Sequence, residues 1–223
     1  MLTLAFDVYG TLIDTGGIQT ALGDALDDAE LGERLSRRWR DKQLEYSFRK
    51  ALMEHYQPFA TCTRQALRFA LAEAGRSIEP DMEDTLMDTY RHLPPFDDAK
   101  TLLAQLEDLP VRPFAFTNGE AAVATDLLSN ADLLSHLEGI VSVEVIRTFK
   151  PSPRVYQHFL ETTDAEPNRT WLISGNPFDI LGAKAAGWRT AWVRRGDVLF
   201  DPWDQEPDAI LRTLTELPGV LDL

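Results

Sequence analysis

The stretch LTLAFDVYGTL, residues 2–12, decides the fold. Residues 2–8 are short, apolar and rich in strand formers, the pattern of a buried strand. Gly10 and Thr11 break that pattern. Asp7 therefore falls at the carboxyl end of the strand. A carboxylate there can act as a nucleophile or a metal ligand. Asp is also common as a turn or cap residue at such breaks, and the local sequence leaves both readings open.

Working outward, residues 15 to 92 read as helical. Leu31, Leu35 and Trp39 recur every four residues, and Arg40, Leu44 and Phe48 do so on a neighbouring face. Residues 63–71 predict an amphipathic helix that Gly75 stops. Residues 79–90 predict another, with Pro80 suited to its first turn and Pro94-Pro95 beyond its end. After Pro95 the pattern alternates. Helices are expected over 98–106, 121–128, 153–162 and 180–186, and strands over 111–116, 140–145, 170–174 and 190–193. Strands alternating with helices imply a parallel sheet covered on both faces. The expected class is α/β: a doubly wound parallel sheet with a helical cap inserted after the first strand. The core takes residues 1–14 and 94–223, and the cap residues 15–93.

Ligands of such sheets bind beyond the carboxyl ends of the strands. Three polar clusters fall there: residues 7–11, 117–119 and 174–179. Lys150, before Pro151, would hold an active carboxylate ionised if it lay beside one; otherwise it is an exposed loop lysine. Asp179 suits a loop that wraps a ligand and equally suits the start of a helix. Arg40 has Arg34, Arg37, Arg38 and Arg49 close by in sequence, and periodicity does not say which of them points inward.

Composition narrows the function. The chain has 223 residues and a net charge of −14, which argues against nucleic acid or an anionic membrane surface as partner. A small anionic substrate remains compatible, because local cations outweigh a distant, salt-screened surface. Cys62 is the single cysteine, so neither an intrachain disulfide nor a cysteine metal cluster is expected. The four histidines form no metal-spaced pair. There is no G-x-S-x-G elbow and no dinucleotide or triphosphate glycine loop. No signal peptide or membrane span is apparent, so a cytoplasmic location is expected.

Taken together, DVYGTL (7–12), TNG (117–119), KP with RVY (150–156) and SGNPFD (174–179) resemble the haloacid dehalogenase superfamily, with its Rossmann-like core. Its phosphatases usually carry D-x-D, whose second Asp is a general acid; Tyr9 stands there instead. Their fourth motif supplies acidic magnesium ligands. Here Asn176 leads it and only Asp179 is acidic, which thins a site that depends on oxygen ligands and charge. Both departures, with the cap segments WRDKQLEY (39–46) and ALRF (66–69), resemble the metal-independent L-2-haloacid dehalogenases.

That resemblance implies Asp7 as nucleophile with Thr11 beside it. Arg40 and Asn118 would cradle the leaving halide, while Thr117 and the backbone at Val8 and Tyr9 hold the substrate carboxylate. Lys150 would orient Asp7, with Tyr156 and Ser174 in support. Asn176 and Asp179 would position and activate water, and Tyr9, Leu44, Phe59 and Phe178 would wall the pocket. No metal or cofactor is expected; the partner is a small carboxylate, and a homodimer is implied. The sequence departs from the pattern at Thr117, where Ser is usual, and at Asp41, where Gln is expected and a carboxylate could pair with Arg40. Gly175, Pro177 and Phe178 are further departures.

The expected reaction is metal-independent hydrolysis of short L-2-haloacids to 2-hydroxy acids through an aspartyl ester. Ring-opening of a cyclic amino acid by the same nucleophile, a phosphatase-like activity and a non-catalytic binding role are the alternatives.

Overall fold

In the computed structural model, which describes residues 1–221, the apolar stretch that opens the chain is the central strand, β1 (Leu2–Asp7). Four helices follow: α1 (Gly16–Leu26), α2 (Ala29–Leu52), α3 (Phe59–Glu73) and α4 (Pro80–Thr89). Then come α5 (Asp97–Leu106), β2 (Val111–Thr117), α6 (Ala121–Asn130), β3 (Gly139–Ser142), α7 (Pro153–Thr163), β4 (Thr170–Ser174), α8 (Pro177–Ala185), β5 (Arg189–Val193) and β6 (Ala209–Leu211). The six strands form one sheet, in the order β3-β2-β1-β4-β5-β6, and every pairing is parallel.

Both faces of the sheet are covered, so successive residues feed opposite cores. Leu4 and Phe6 of β1, Ala115 of β2 and Ile173 of β4 enter one apolar cluster, which continues into Leu35, Trp39 and Leu67 of the helical layer. Ala5, Phe116, Leu172 and Trp192 enter the other, with Tyr156 and Trp188. Asp7 pairs with Phe116, and Phe6 with Ile173. The carboxyl ends of β1, β2 and β4 therefore lie side by side. Strand order reverses between β1 and β4, the position where sheets of this kind open a crevice.

The helical layer is anchored to this end of the sheet. Asp14 N donates to Pro94 O at 2.9 Å and Phe96 N to Leu12 O at 2.9 Å, so the segments leaving and rejoining the sheet run together. α2 is about 36 Å long at the usual rise per residue. Its start is capped by Asp28, which accepts from Leu31 N at 3.0 Å, and Arg49 and Lys50 occupy its last turn, where they oppose the helix dipole.

Four local expectations need correction. The strand expected over 140–145 ends at Ser142, whose hydroxyl accepts from Glu144 N at 3.2 Å and starts a 3-10 turn, Val143–Ile146. α3 begins at Phe59 rather than residue 63, directly after Pro58. α8 begins at Pro177 rather than residue 180, because a proline in the first turn gives up no helical hydrogen bond. β6 was not expected; three residues between irregular segments carry no periodicity.

Candidate active site

The turn after β1 aims Asp7 into the crevice. The Val8 carbonyl accepts from the amides of Thr11, Leu12 and Ile13 at 3.3, 3.0 and 3.0 Å, and Gly10 takes a φ of +79°, which favours glycine. Gly175 follows β4 across the crevice. A Cβ there would overlap the Gly10 carbonyl oxygen, so the two turns close only because position 175 lacks a side chain.

Asp7 is 8% exposed. Its Oδ2 accepts from Thr11 Oγ1 at 2.9 Å and from Asn176 Nδ2 at 2.7 Å, and its Oδ1 from Lys150 Nζ at 3.2 Å. Thr11 is held in turn: its Oγ1 accepts from Gly175 N at 2.9 Å, and its carbonyl from Arg195 Nη2 at 2.8 Å. Lys150 is 1% exposed, which rules out the loop-lysine reading. Its other two ammonium protons go to Phe116 O at 2.8 Å and Asp179 Oδ2 at 2.7 Å, so all three are donated within the protein.

Asp179 lies in the first turn of α8 and is fully buried. Its Oδ1 accepts from Tyr156 OH at 2.8 Å. Burial pushes its carboxyl above the ordinary range, while Lys150 and Tyr156 pull the other way. Tyr156, itself pushed well up by burial, stays a hydroxyl donor.

Tyr156 reaches Lys150 through Asp179, to which both donate. Ser174 Oγ accepts from Asn176 N at 3.0 Å, which fixes the Asn176 loop. Asn118 Oδ1 accepts from Lys150 N at 2.9 Å, and among the described residues its Nδ2 has no protein partner. Thr117 is buried, and its Oγ1 accepts from Gly119 N at 3.0 Å, which leaves its own proton free.

The helical layer supplies Arg40, from α2. Its Nη2 donates to Asn176 Oδ1 at 3.2 Å and its Nη1 to Gln43 Oε1 at 2.6 Å. The pairing of Asp41 with Arg40 is not observed: among the described residues no ion pair joins them, and Asp41 is exposed. A cavity of about 690 Å³ lies here, with Tyr9, Arg40, Asp41, Phe59, Tyr90 and Glu120 in its wall. Leu44 and Phe178 do not line it; Phe178 instead meets Phe48 of α2 edge to face at 5.2 Å. Burial pushes the Tyr9 hydroxyl above its usual range and that of Tyr90 up to about 12, so both stay neutral at the cavity wall.

Sequence reasoning missed Gln43, Tyr90, Glu120 and Arg195. Glu120 could have been suspected from its place beside the TNG cluster and Gln43 from its place in the cap segment 39–46; Tyr90 and Arg195 carry no local signal. Among the described residues, no group of three or more His, Cys, Asp or Glu side chains is arranged to hold a metal ion, and no helix is long and apolar enough to cross a membrane.

A carboxylate at the switch point of a doubly wound sheet, tied to a buried lysine and roofed by a helical cap, defines a class of capped α/β hydrolases. The chain belongs to the haloacid dehalogenase-like hydrolases, whose family model matches residues 1–187. It is 34% identical over 221 residues to (S)-2-haloacid dehalogenase 1 of Pseudomonas sp. (strain CBS-3), covering 97% of this chain and 94% of that one. It superposes on the L-2-haloacid dehalogenase of Xanthobacter autotrophicus with a TM-score of 0.90 at 30% identity, over 98% of this chain and 97% of that one. A structure of the Xanthobacter autotrophicus enzyme with chloropropionic acid covalently bound gives 0.87 at 29% identity, over 98% and 97% of the two chains.

Proposed function

We propose that the protein hydrolyses short (S)-2-haloacids to 2-hydroxy acids through an ester on Asp7. The observation that carries this reading is the setting of Asp7. Three donors orient its carboxylate, and Asn176 links it to an arginine of the cap. The relative with chloropropionic acid covalently bound supports the covalent step.

In the first half-reaction an Asp7 oxygen attacks C2 in line, and the carbon–halogen bond breaks with inversion. Halide leaves without a proton, so no general acid is needed and Tyr9 can stand where a phosphatase carries one. Arg40 and the free Asn118 Nδ2 stabilise the charge that gathers on the halogen. The Thr117 hydroxyl and the backbone at Val8 and Tyr9 hold the substrate carboxylate.

In the second half-reaction water adds to the ester carbonyl of Asp7. Lys150 has spent all its donors on Asp7, Phe116 and Asp179, so its role is to orient. Asp179 takes the proton from water, since each of its oxygens keeps a lone pair and burial has raised its basicity. The tetrahedral adduct then expels the C2 alkoxide, which recovers that proton. No step uses a metal; the chemistry of Tyr9 and Asn176 supports this, since neither offers a carboxylate to a hard cation. The division of the chain into a core of residues 1–14 and 94–223 and a cap of 15–93 is part of the same reading.

Single turnover in ¹⁸O-water is expected to place label in Asp7 before it reaches the product hydroxyl. Asp7→Asn is expected to release no halide from L-2-chloropropionate. Label entering the product directly, or equal halide release by the variant, defeats the proposal. Magnesium-stimulated release of phosphate from a generic ester would favour a phosphatase instead.

A further inference from the structure

Behind Arg40 lies a buried relay with a fixed direction. Thr63 Oγ1 donates to Phe59 O at 3.0 Å, which spends its only proton. Its oxygen can then only accept, and it accepts from Gln43 Nε2 at 2.6 Å. The Gln43 amide is thereby turned so that Oε1 faces the guanidinium, and Arg40 Nη1 donates to it at 2.6 Å. The backbone carbonyl of Thr63 is held by Trp39 Nε1 at 2.7 Å, which ties α3 to α2 at this level. Gln43 and Thr63 are 1% and 3% exposed, so the bond between them is buried, while the Arg40–Gln43 bond is part-buried at the cavity wall. On its other side, among the described residues, Arg40 reaches only Asn176 Oδ1, at 3.2 Å. A guanidinium with one short bond to a buried amide and one longer bond at the crevice is fixed mainly from behind.

We infer that Gln43, oriented by Thr63, is a positioning residue that aims the Arg40 guanidinium at the departing halide. The inference rests on the reading of Arg40 given above. An arginine left free to rotate must be ordered as charge develops, and that reorganisation is what a preorganised site avoids. The demand on Arg40 depends on the leaving group. Chloride, the poorest leaving group of the common three, needs the most stabilisation, and iodide the least.

The test is single-turnover halide release from L-2-chloro-, bromo- and iodopropionate by Gln43→Leu, Gln43→Glu, Thr63→Val, Thr63→Ser and Arg40→Gln, each checked for folding by circular dichroism. Gln43→Leu is expected to slow chloride release about tenfold and iodide release less than about threefold, with KM, read separately in the steady state, changed less than about twofold. Gln43→Glu, which sets a carboxylate against the guanidinium, is expected to lose at least as much on chloride. Thr63→Val is expected to repeat the selective loss and Thr63→Ser to reverse it. If Gln43→Leu does not fold, the Glu and Val variants carry the test.

Equal slowing across the three halides in the Gln43 and Thr63 variants, or no slowing, overturns the inference while Arg40→Gln still discriminates among halides. If Arg40→Gln itself fails to discriminate, the reading of Arg40 falls and takes the inference with it.

Discussion

At the residue scale, the central fact is that one ammonium serves two carboxylates. Lys150 sits between Asp7 and Asp179, and its 4.1 Å approach to the Phe116 ring adds a cation–π contact. Burial raises the Asp179 carboxyl, so its ionised form is lost as pH falls through a value above the ordinary aspartate range. A rate that needs ionised Asp179 therefore falls on that acid limb. The Tyr156 hydroxyl favours the ionised form, so Tyr156→Phe is expected to move the acid limb of kcat to higher pH. A pH–rate profile checks this; an unmoved or lowered limb would show that Asp179 is not the proton acceptor. Asp7 and Asp179 were legible as candidates because both follow strand ends. Their union through Lys150 was not, because 143 residues separate Lys150 from Asp7.

At the element scale, the amino end of α5 braces the nucleophile turn. Asp98 accepts two bonds from Arg195, at 2.7 and 2.9 Å, one from Leu214 N at 2.9 Å and one from Thr213 Oγ1 at 3.0 Å. Arg195 passes this order on to the Thr11 carbonyl. Burial alone would raise the Asp98 carboxyl, but Arg195, the Leu214 amide and the Thr213 hydroxyl outweigh it and hold the group below its usual value. A depressed carboxyl contributes stability that is fully present above the unfolded value, near 4, and that is lost as pH falls through the folded one. Asp98→Asn is therefore expected to lower the urea midpoint at pH 7, with the gap to wild type closing as pH falls below about 4. A gap that stays constant with pH would remove charge from the explanation. The sequence marks α5 through its leucine spacing, but nothing in it pairs residue 98 with residue 195.

At the scale of the whole molecule, the question is how the helical layer is held over the sheet. Polar contacts cross at Arg40–Asn176 and from Ala60 N to Glu120 Oε1 at 3.4 Å. Aromatic contacts cross at Phe48–Phe178, Tyr56–Phe149 and Phe59–Phe149, with centroids 5.2, 5.1 and 5.7 Å apart. A double-mutant cycle of Phe48→Ala and Phe178→Ala, read by urea unfolding, is expected to give a coupling of about 0.5–1.5 kcal/mol. Additive losses would mean that the pair does not join the layers. What the sequence determined by itself is the architecture and the reactive positions at its strand ends. Local hydrophobic period and turn residues specify strands and helices, and a parallel sheet can present ligands only at one end. What only the tertiary structure decided is which side chains meet. Periodicity left Arg40 one arginine among several and only the family resemblance singled it out; the structure shows that it meets Asn176. Gln43 stood only as one residue of the cap segment 39–46 and Thr63 had no mark, because the bond that orients the Gln43 amide joins α2 to α3.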